Sequence, residues 1–148
     1  MQTKICSFDG EFSFLSNFFE SSIRVDGEKY PTVEHAYQAS KTFDPWQRRL
    51  IREAPTPGKA KRLGKTVKKR DDWDDIRIGV MESLLRDKFS SPFLAQMLIA
   101  TDDATLIEGN TWGDTFWGVC GGTGENMLGK LLMQIRSDLI VDQASNDE

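Results

Sequence analysis

With 148 residues, 39% of them hydrophobic, 12 glycines and 5 prolines, the chain has the size and composition of one globular domain that buries roughly two-thirds of its unfolded surface. A formal charge of −4 and a pI near 5.1 argue against a nonspecific DNA or membrane binder, although a local cluster of cations can still attract a small anion. Cys6 and Cys120 provide neither a disulfide framework nor a metal-ligand spacing. With no signal peptide and no window apolar enough to span a membrane, the expected location is a reducing cytoplasm.

In chain order, residues 5–8 read as a short strand turned by Asp9-Gly10. The next stretch, FSFLSNFFESS, surrounds Ser16 and Asn17 with Phe12, Phe14, Leu15, Phe18 and Phe19. It is either an aromatic core segment with a polar break, or the rim of a pocket where aromatics wall in Asn17, since ligand sites combine apolar walls with a few fixed polar groups. Alternation around Asp26-Gly27 predicts a hairpin over residues 22–30.

The stretch YPTVEHAYQASKTF, residues 30–43, organises the rest. Tyr30-Pro31 is extended and Thr32 is a helix N-cap. Val33, Ala36, Tyr37 and Ser40 form a narrow, mostly apolar face, and Glu34, Gln38 and Lys41 follow at i, i+4 and i+7 on an adjacent one. A carboxylate, an amide and an amine thus stand in one row, as a solvated surface or as the wall of a site.

Asp44-Pro45 ends that pattern, and short helices are expected over 46–53 and 59–63, separated by Ala54-Pro55-Thr56-Pro57-Gly58. Residues 59–70, KAKRLGKTVKKR, carry seven cations and no acid; the run is either a solvated face or a source of positive potential for phosphate. Acids at 71, 72, 74 and 75 suit the start of a helix through about residue 89. Its apolar track is Trp73, Ile76, Val80, Leu84 and Phe89, with Arg77, Met81 and Lys88 near the margin. Arg77 and Lys88 are candidates to neutralise an anion or to pair with surface acids.

Ser91-Pro92 opens a short helix over 93–99, and residues 104–108 read as a strand. EGNTWGDTFWGVCGG, residues 108–122, joins two acids, two tryptophans and five glycines with almost no periodicity. Glycines let backbone approach a ligand and Trp112 and Trp117 offer flat walls; the alternative is a turn whose tryptophans only cap the core. Glu108 and Asp114 are the acids expected to face a pocket. The last helix begins at Gly124-Glu125-Asn126, which sets Asn126 in the first turn beside unpaired backbone N–H groups that can meet an anion. The helix packs through Met127, Leu128, Leu131, Leu132, Ile135, Leu139 and Ile140, and the polar residues 142–148 are expected to fray. Nothing forces a second domain on a core spanning residues 5–141.

No phosphate loop, dinucleotide fingerprint or nucleophilic triad is present. The single histidine, His35, rules out a histidine-rich metal site and reads as a structural donor. Carboxylate chemistry beside aromatic rings and cations remains.

FLSNFF, YPTVEHAYQASK, the helix from Trp73 to Lys88, EGNTWGDTFWGV and GENMLGKLLMQIR, in this order across residues 8–139, together resemble the NADAR or YbiA-like family. The resemblance implies a compact, predominantly helical α+β single domain with short strands. It also implies an N-glycosidase acting on ribosylated bases, without metal or cofactor. YbiA-like members are similar to enzymes that release ribose 5-phosphate from a phosphoribosylamino-pyrimidine of early riboflavin biosynthesis. Other members are associated with ADP-ribose, including its removal from guanine in DNA. Carried over by motif, the pocket holds Asn17, Glu34, Lys41 and Trp73 from the amino-terminal half, and Trp112, Asp114, Trp117 and Asn126 from the carboxyl-terminal half. Arg77, Met81, Lys88 and Glu108 are its outer members.

Cleaving an N-glycosidic bond develops positive charge on the ribose, which a carboxylate stabilises while a base orients water. Glu34 is therefore expected as the main catalytic carboxylate, with Asp114 as base, ribose ligand or orienting group. Lys41 fixes Glu34 through a salt bridge, binds phosphate, or acts as a nucleophile through a ribose Schiff base. A tryptophan stacks on the base. The partner is a small phosphoribosylated or ADP-ribosylated molecule or an ADP-ribosylated nucleic acid. The competing expectations are a nucleotide-binding module without turnover and a structural protein whose Glu34 and Lys41 pair on a wetted surface.

Overall fold

The structure of the chain, a computed structural model, describes residues 3–146. The elements in chain order are β1 (Lys4–Ile5), a 3-10 helix (Gly10–Leu15), β2 (Glu20–Val25), β3 (Glu28–Thr32), α1 (Val33–Ala39), α2 (Pro45–Arg52), α3 (Pro57–Gly64), α4 (Trp73–Lys88), α5 (Pro92–Ile99), β4 (Thr105–Leu106), β5 (Gly109–Asn110), β6 (Val119–Cys120) and α6 (Met127–Asn146). The fold is α+β: helices take about half of the described residues, and the strands form three separate two-stranded pairs. No described helix is long and apolar enough to cross a membrane.

The residues fall into two compact units, one running Asn17–Lys88 and the other combining the chain up to Ser16 with the chain from Phe89 onward. The Asn17–Lys88 unit begins with the antiparallel hairpin β2–β3. Its two-residue turn places Asp26 at φ 51° and Gly27 at φ 82°, the paired positive values that a right-twisted hairpin demands. The hairpin leads straight into α1. Thr32 Oγ1 accepts the His35 backbone N–H at 3.1 Å, satisfying a donor that the first helical turn leaves open. The His35 side chain closes the same corner. Its Nε2 lies 3.0 Å from the Ala54 carbonyl, which can only accept, so Nε2 carries the proton and Nδ1 accepts from the Thr32 hydroxyl at 2.8 Å. His35 is thus structural, as its sequence context suggested.

Three helices open with a capping residue and proline. Asp44-Pro45, Thr56-Pro57 and Ser91-Pro92 place a side-chain acceptor at the N-cap and a residue without N–H at the first helical position. This is why α2 and α3 begin one and two residues before the periodicity alone would start them, while α5 opens at Pro92 as the Ser91-Pro92 pair leads one to expect. α1 packs against α2, α3, α4 and both strands of the hairpin, and all seven of its residues are buried.

α4 departs from its expected face. Met81 and Lys88, placed near the margin by sequence, are 1% and 2% exposed. Ile76 and Val80 are only half-buried, while Leu85 is fully covered. The Lys88 ammonium lies 5.5 Å from the Phe19 ring centroid, an arrangement in which the π-face offers negative charge to a cation.

In the other unit, β1 pairs with β4 in parallel through Lys4↔Thr105 and Ile5↔Leu106. The segment after β1 is a 3-10 helix that buries Phe14 and Leu15. α5 follows, and α6 packs on α5 and β4. Gly129 allows that approach, since a Cβ there would run into the Leu106 carbonyl oxygen. α6 continues to Asn146, so residues 142–146 are helical where fraying was expected, and residues 147–148 lie outside the described residues.

Thr32→Ala removes an N-cap and a partner of a buried imidazole together. It should lower unfolding stability by about 1–2 kcal/mol, read as a drop in the urea midpoint at unchanged m-value, while Thr32→Ser should retain most of the stability.

Candidate active site

Glu34 and Gln38 lie one turn apart on α1. Although acid and amide are both buried, at 7% and 4% exposure, they meet: Gln38 Nε2 donates to Glu34 Oε1 at 2.8 Å. The Glu34 backbone N–H donates to the Asn17 carbonyl at 3.1 Å. Asn17 in turn sends its Nδ2 toward the Met81 sulfur at 3.6 Å, while its Oδ1 is buried with no hydrogen-bond partner among the described residues. Asn17, Glu34 and Met81 therefore form one neighbourhood. An acceptor left open there is suited to a ligand hydroxyl or amine.

Lys41 follows the end of α1. Its ammonium sits 5.8 Å from the Tyr37 ring centroid, and Tyr37 is itself packed on Trp73 with centroids 5.1 Å apart. Burial lowers the Lys41 pKa. Glu34 opposes that shift, and Lys69, Lys65 and Lys61 reinforce it. Lys41 is therefore a half-buried amine with one acid and three further lysines in electrostatic range. Beside it, the Arg70 backbone N–H donates to the Lys41 carbonyl at 2.7 Å, and the Arg70 side chain is held by both Asp72 oxygens.

In the other unit, the tryptophan–glycine segment is ordered by side chains clamping backbone. Asn110 Nδ2 donates to the Asp114 carbonyl at 2.8 Å, and its Oδ1 accepts the Asp114 N–H at 3.0 Å. Asp114 Oδ1 then accepts the backbone N–H groups of Phe116 at 3.1 Å and Trp117 at 2.9 Å. These bonds turn the chain so that β5 and β6 pair in parallel, Gly109↔Val119 and Asn110↔Cys120, giving regular structure to a stretch that reads as aperiodic. The Phe116 and Trp117 rings meet edge to face at 4.8 Å, while Trp112 is 63% exposed.

Asn126 corrects its sequence reading. It precedes α6 with φ 52°, and its side chain joins two backbone groups: Oδ1 accepts the Glu108 N–H at 3.0 Å and Nδ2 donates to the Leu106 carbonyl at 2.9 Å. The N–H groups expected to await an anion are already used. Those of Asn126, Met127 and Leu128 donate to the carbonyls of Gly118, Phe116 and Trp117.

Over residues 7–140 the chain matches the NADAR domain. N-glycosidase YbiA of Escherichia coli is 38% identical over 150 residues, covering 97% of this chain and 93% of that protein. A riboflavin biosynthesis protein of Vibrio vulnificus is 40% identical over 136 residues, covering 88% of this chain and 36% of that protein. The chain belongs to the NADAR family. The NMR structure of the E. coli protein YbiA has the same fold, with a TM-score of 0.83 at 37% identity over 97% of this chain and 89% of that one.

Among the NADAR candidates named from sequence, the Asn17–Lys88 unit gathers Asn17, Glu34 and Met81 around one carboxylate, with Lys41 and Trp73 joined through Tyr37. Lys88 lies with Phe19, and Arg77 is half-buried on α4. In the other unit, Glu108 and Asn126 are tied together, as are Asp114 and Trp117. Sequence reasoning placed Gln38 in the polar row but left it out of the site; its i, i+4 spacing from Glu34 was the available signal. Asn110 was missed for want of any local pattern.

A group whose folded pKa lies below its unfolded value opposes folding while protonated, and stability rises as pH rises through the folded pKa. Lys41 is such a group. Lys41→Met should therefore be more stable than the parent at neutral pH, with the gap closing toward alkaline pH, as followed by thermal melts across that range. Parallel curves would show that burial of the charge costs nothing.

Proposed function

We propose that this chain, an N-glycosidase of the NADAR family, hydrolyses the bond between ribose 5-phosphate and the amino nitrogen of a phosphoribosylamino-pyrimidine. The observation that carries the reading is the buried Glu34 carboxylate with Lys41 close by and Lys61, Lys65 and Lys69 in electrostatic range. The carboxylate suits a sugar carbon that becomes cationic, and the lysines suit a phosphate dianion on the same sugar.

In this mechanism the C1′–N bond breaks with its electron pair leaving on nitrogen. Glu34 stabilises the positive charge on the ribose, water oxygen bonds to C1′, and the departing amine takes up a proton. Asn17 Oδ1 accepts a hydrogen bond from the substrate. Asp114, already committed to two backbone N–H groups, keeps the tryptophan–glycine segment in shape.

One observation favours a second role for Lys41. Burial and neighbouring lysines hold its pKa below the usual lysine value, which raises the fraction of neutral amine able to attack an opened ribose. Borohydride added during turnover should then leave a stable sugar adduct on Lys41. Its absence, with full turnover, assigns Lys41 to electrostatics.

Incubation with the phosphoribosylamino-pyrimidine should release ribose 5-phosphate. Glu34→Gln should lower kcat by about 10²–10⁴-fold while preserving fold and substrate binding, and near-normal turnover by that variant sinks the assignment. Release of ADP-ribose from ADP-ribosylated guanine alone would replace the substrate, and tight nucleotide binding without any release would make the chain a binding module.

A further inference from the structure

Gln38 hydrogen-bonds Glu34 at one end of its amide and has an unusual environment at the other. Its Oε1 is buried with no hydrogen-bond partner among the described residues and lies against Gly64, the last residue of α3. A Cβ at Gly64 would overlap that oxygen and come within 2.7 Å of Gln38 Cδ and 3.0 Å of its Cβ. Gly64 lacks the positive φ that separates Gly10, Gly27 and Gly113 from ordinary residues, so its backbone accepts a side chain. Within a helix, alanine is favoured over glycine. Close approach to Gln38 is thus a feature of Gly64 that requires the absence of a side chain.

We infer that Gln38 positions Glu34 for the reaction and that Gly64 holds Gln38 in place, so that α3 governs the carboxylate through a contact outside the reacting groups. This inference rests on the reading of Glu34 as the catalytic carboxylate. With Glu34 acting as the carboxylate of the proposed reaction, the amide has one workable orientation, since reversing it would set two acceptor oxygens against each other. Leaving a buried carbonyl unpaired is unfavourable, and the hydrogen bond to the carboxylate is what that arrangement secures. The donor is neutral, which matters for the chemistry. An arginine or lysine in its place would also fix the carboxylate but would cancel the charge that must meet the developing cation. With Oε1 held at 2.8 Å, rotation of the carboxylate about its terminal bond is restricted and the direction of Oε2 is set. Reaction geometry of this kind tolerates displacements of only about 0.5 Å.

The test measures kcat and KM with the phosphoribosylamino-pyrimidine for Gln38→Met, Gln38→Ala, Gly64→Ala and the Gln38→Ala/Gly64→Ala double variant, each checked by circular dichroism. Gln38→Met fills similar volume without the donor and should lower kcat about 10–100-fold with little change in KM, the signature of lost orientation. Gly64→Ala should lower kcat in the same way by displacing the amide. In the double variant the clash with the amide is gone and only the Cβ of residue 38, 3.0 Å away, remains against the new methyl group, so adding Gly64→Ala to Gln38→Ala should cost far less than it does in the parent, and the two effects should be strongly non-additive. Parent-like kcat in Gln38→Met overturns the inference, as does an independent, multiplicative loss from Gly64→Ala in the Gln38→Ala background. If Gly64→Ala alone does not fold, Gln38→Met and the double variant still decide. The underlying reading fails separately: active Glu34→Gln removes Glu34 as the catalytic carboxylate, whereas inactive Glu34→Gln with parent-like Gln38→Met overturns only the positioning role.

Discussion

Complete burial of α1 is the constraint from which the rest of the Asn17–Lys88 unit follows. A seven-residue helix is too short to be stable alone, and this one has no solvated face on which to place its polar side chains. Each must find a partner inside. Thr32 and His35 satisfy one another and the Ala54 carbonyl, and Ser40 Oγ donates to the Ala36 carbonyl. Gln38 and Glu34 form the remaining pair. The first two arrangements close on backbone groups and are complete as architecture. The third keeps a carboxylate in the interior, a costly choice unless the charge serves chemistry.

Electrostatics around α1 give that choice a direction. Glu34 alone would favour a cation, while Lys41 with Lys61, Lys65 and Lys69 would favour an anion. A molecule carrying both, a phosphate and a sugar carbon that becomes cationic as its bond to nitrogen breaks, meets the two demands at once. The chain's net charge of −4 does not weaken this, because fields at a few ångströms are set by neighbours and more distant surface charges are screened. The lysine run of residues 59–70, ambiguous as a line of sequence, gains meaning from the three of its members that act on Lys41.

Local chemistry made much of the fold legible. The Asp26-Gly27 turn, the Thr32 cap and the Ser91-Pro92 helix start are each decided within a few residues, whereas Asp44-Pro45 and Thr56-Pro57 read as breaks and open helices in the structure. What was not legible depends on partners distant in sequence. Periodicity placed Met81 and Lys88 at the margin of α4 because a lysine counts as polar, yet its long stem fits among buried groups and its ammonium finds the Phe19 ring. The helical continuation to Asn146 was missed because a polar composition argues for fraying only when no neighbour is known. Gln96 on α5 does bond Gln143 on α6. Gln38 stood in plain view in the polar row, but its weight comes from Gly64, which no spacing rule connects to it.

The amides and carboxylates of the candidate set divide by what they hold. Asp114 and Asn126, together with Asn110 outside that set, bind backbone N–H and carbonyl groups, and a glycine-rich segment with two-residue strands has few other means to satisfy its main chain. From sequence such residues cannot be told from catalytic ones, since the same functional groups do both jobs. Glu34 differs in kind. Its side chain is fixed by the side chain of Gln38, and Gln38 is fixed by the shape of a third element, α3. Orientation imposed on a carboxylate by another side chain adds nothing to the course of the backbone, so under the proposed chemistry its consequence lies in what that carboxylate faces during turnover.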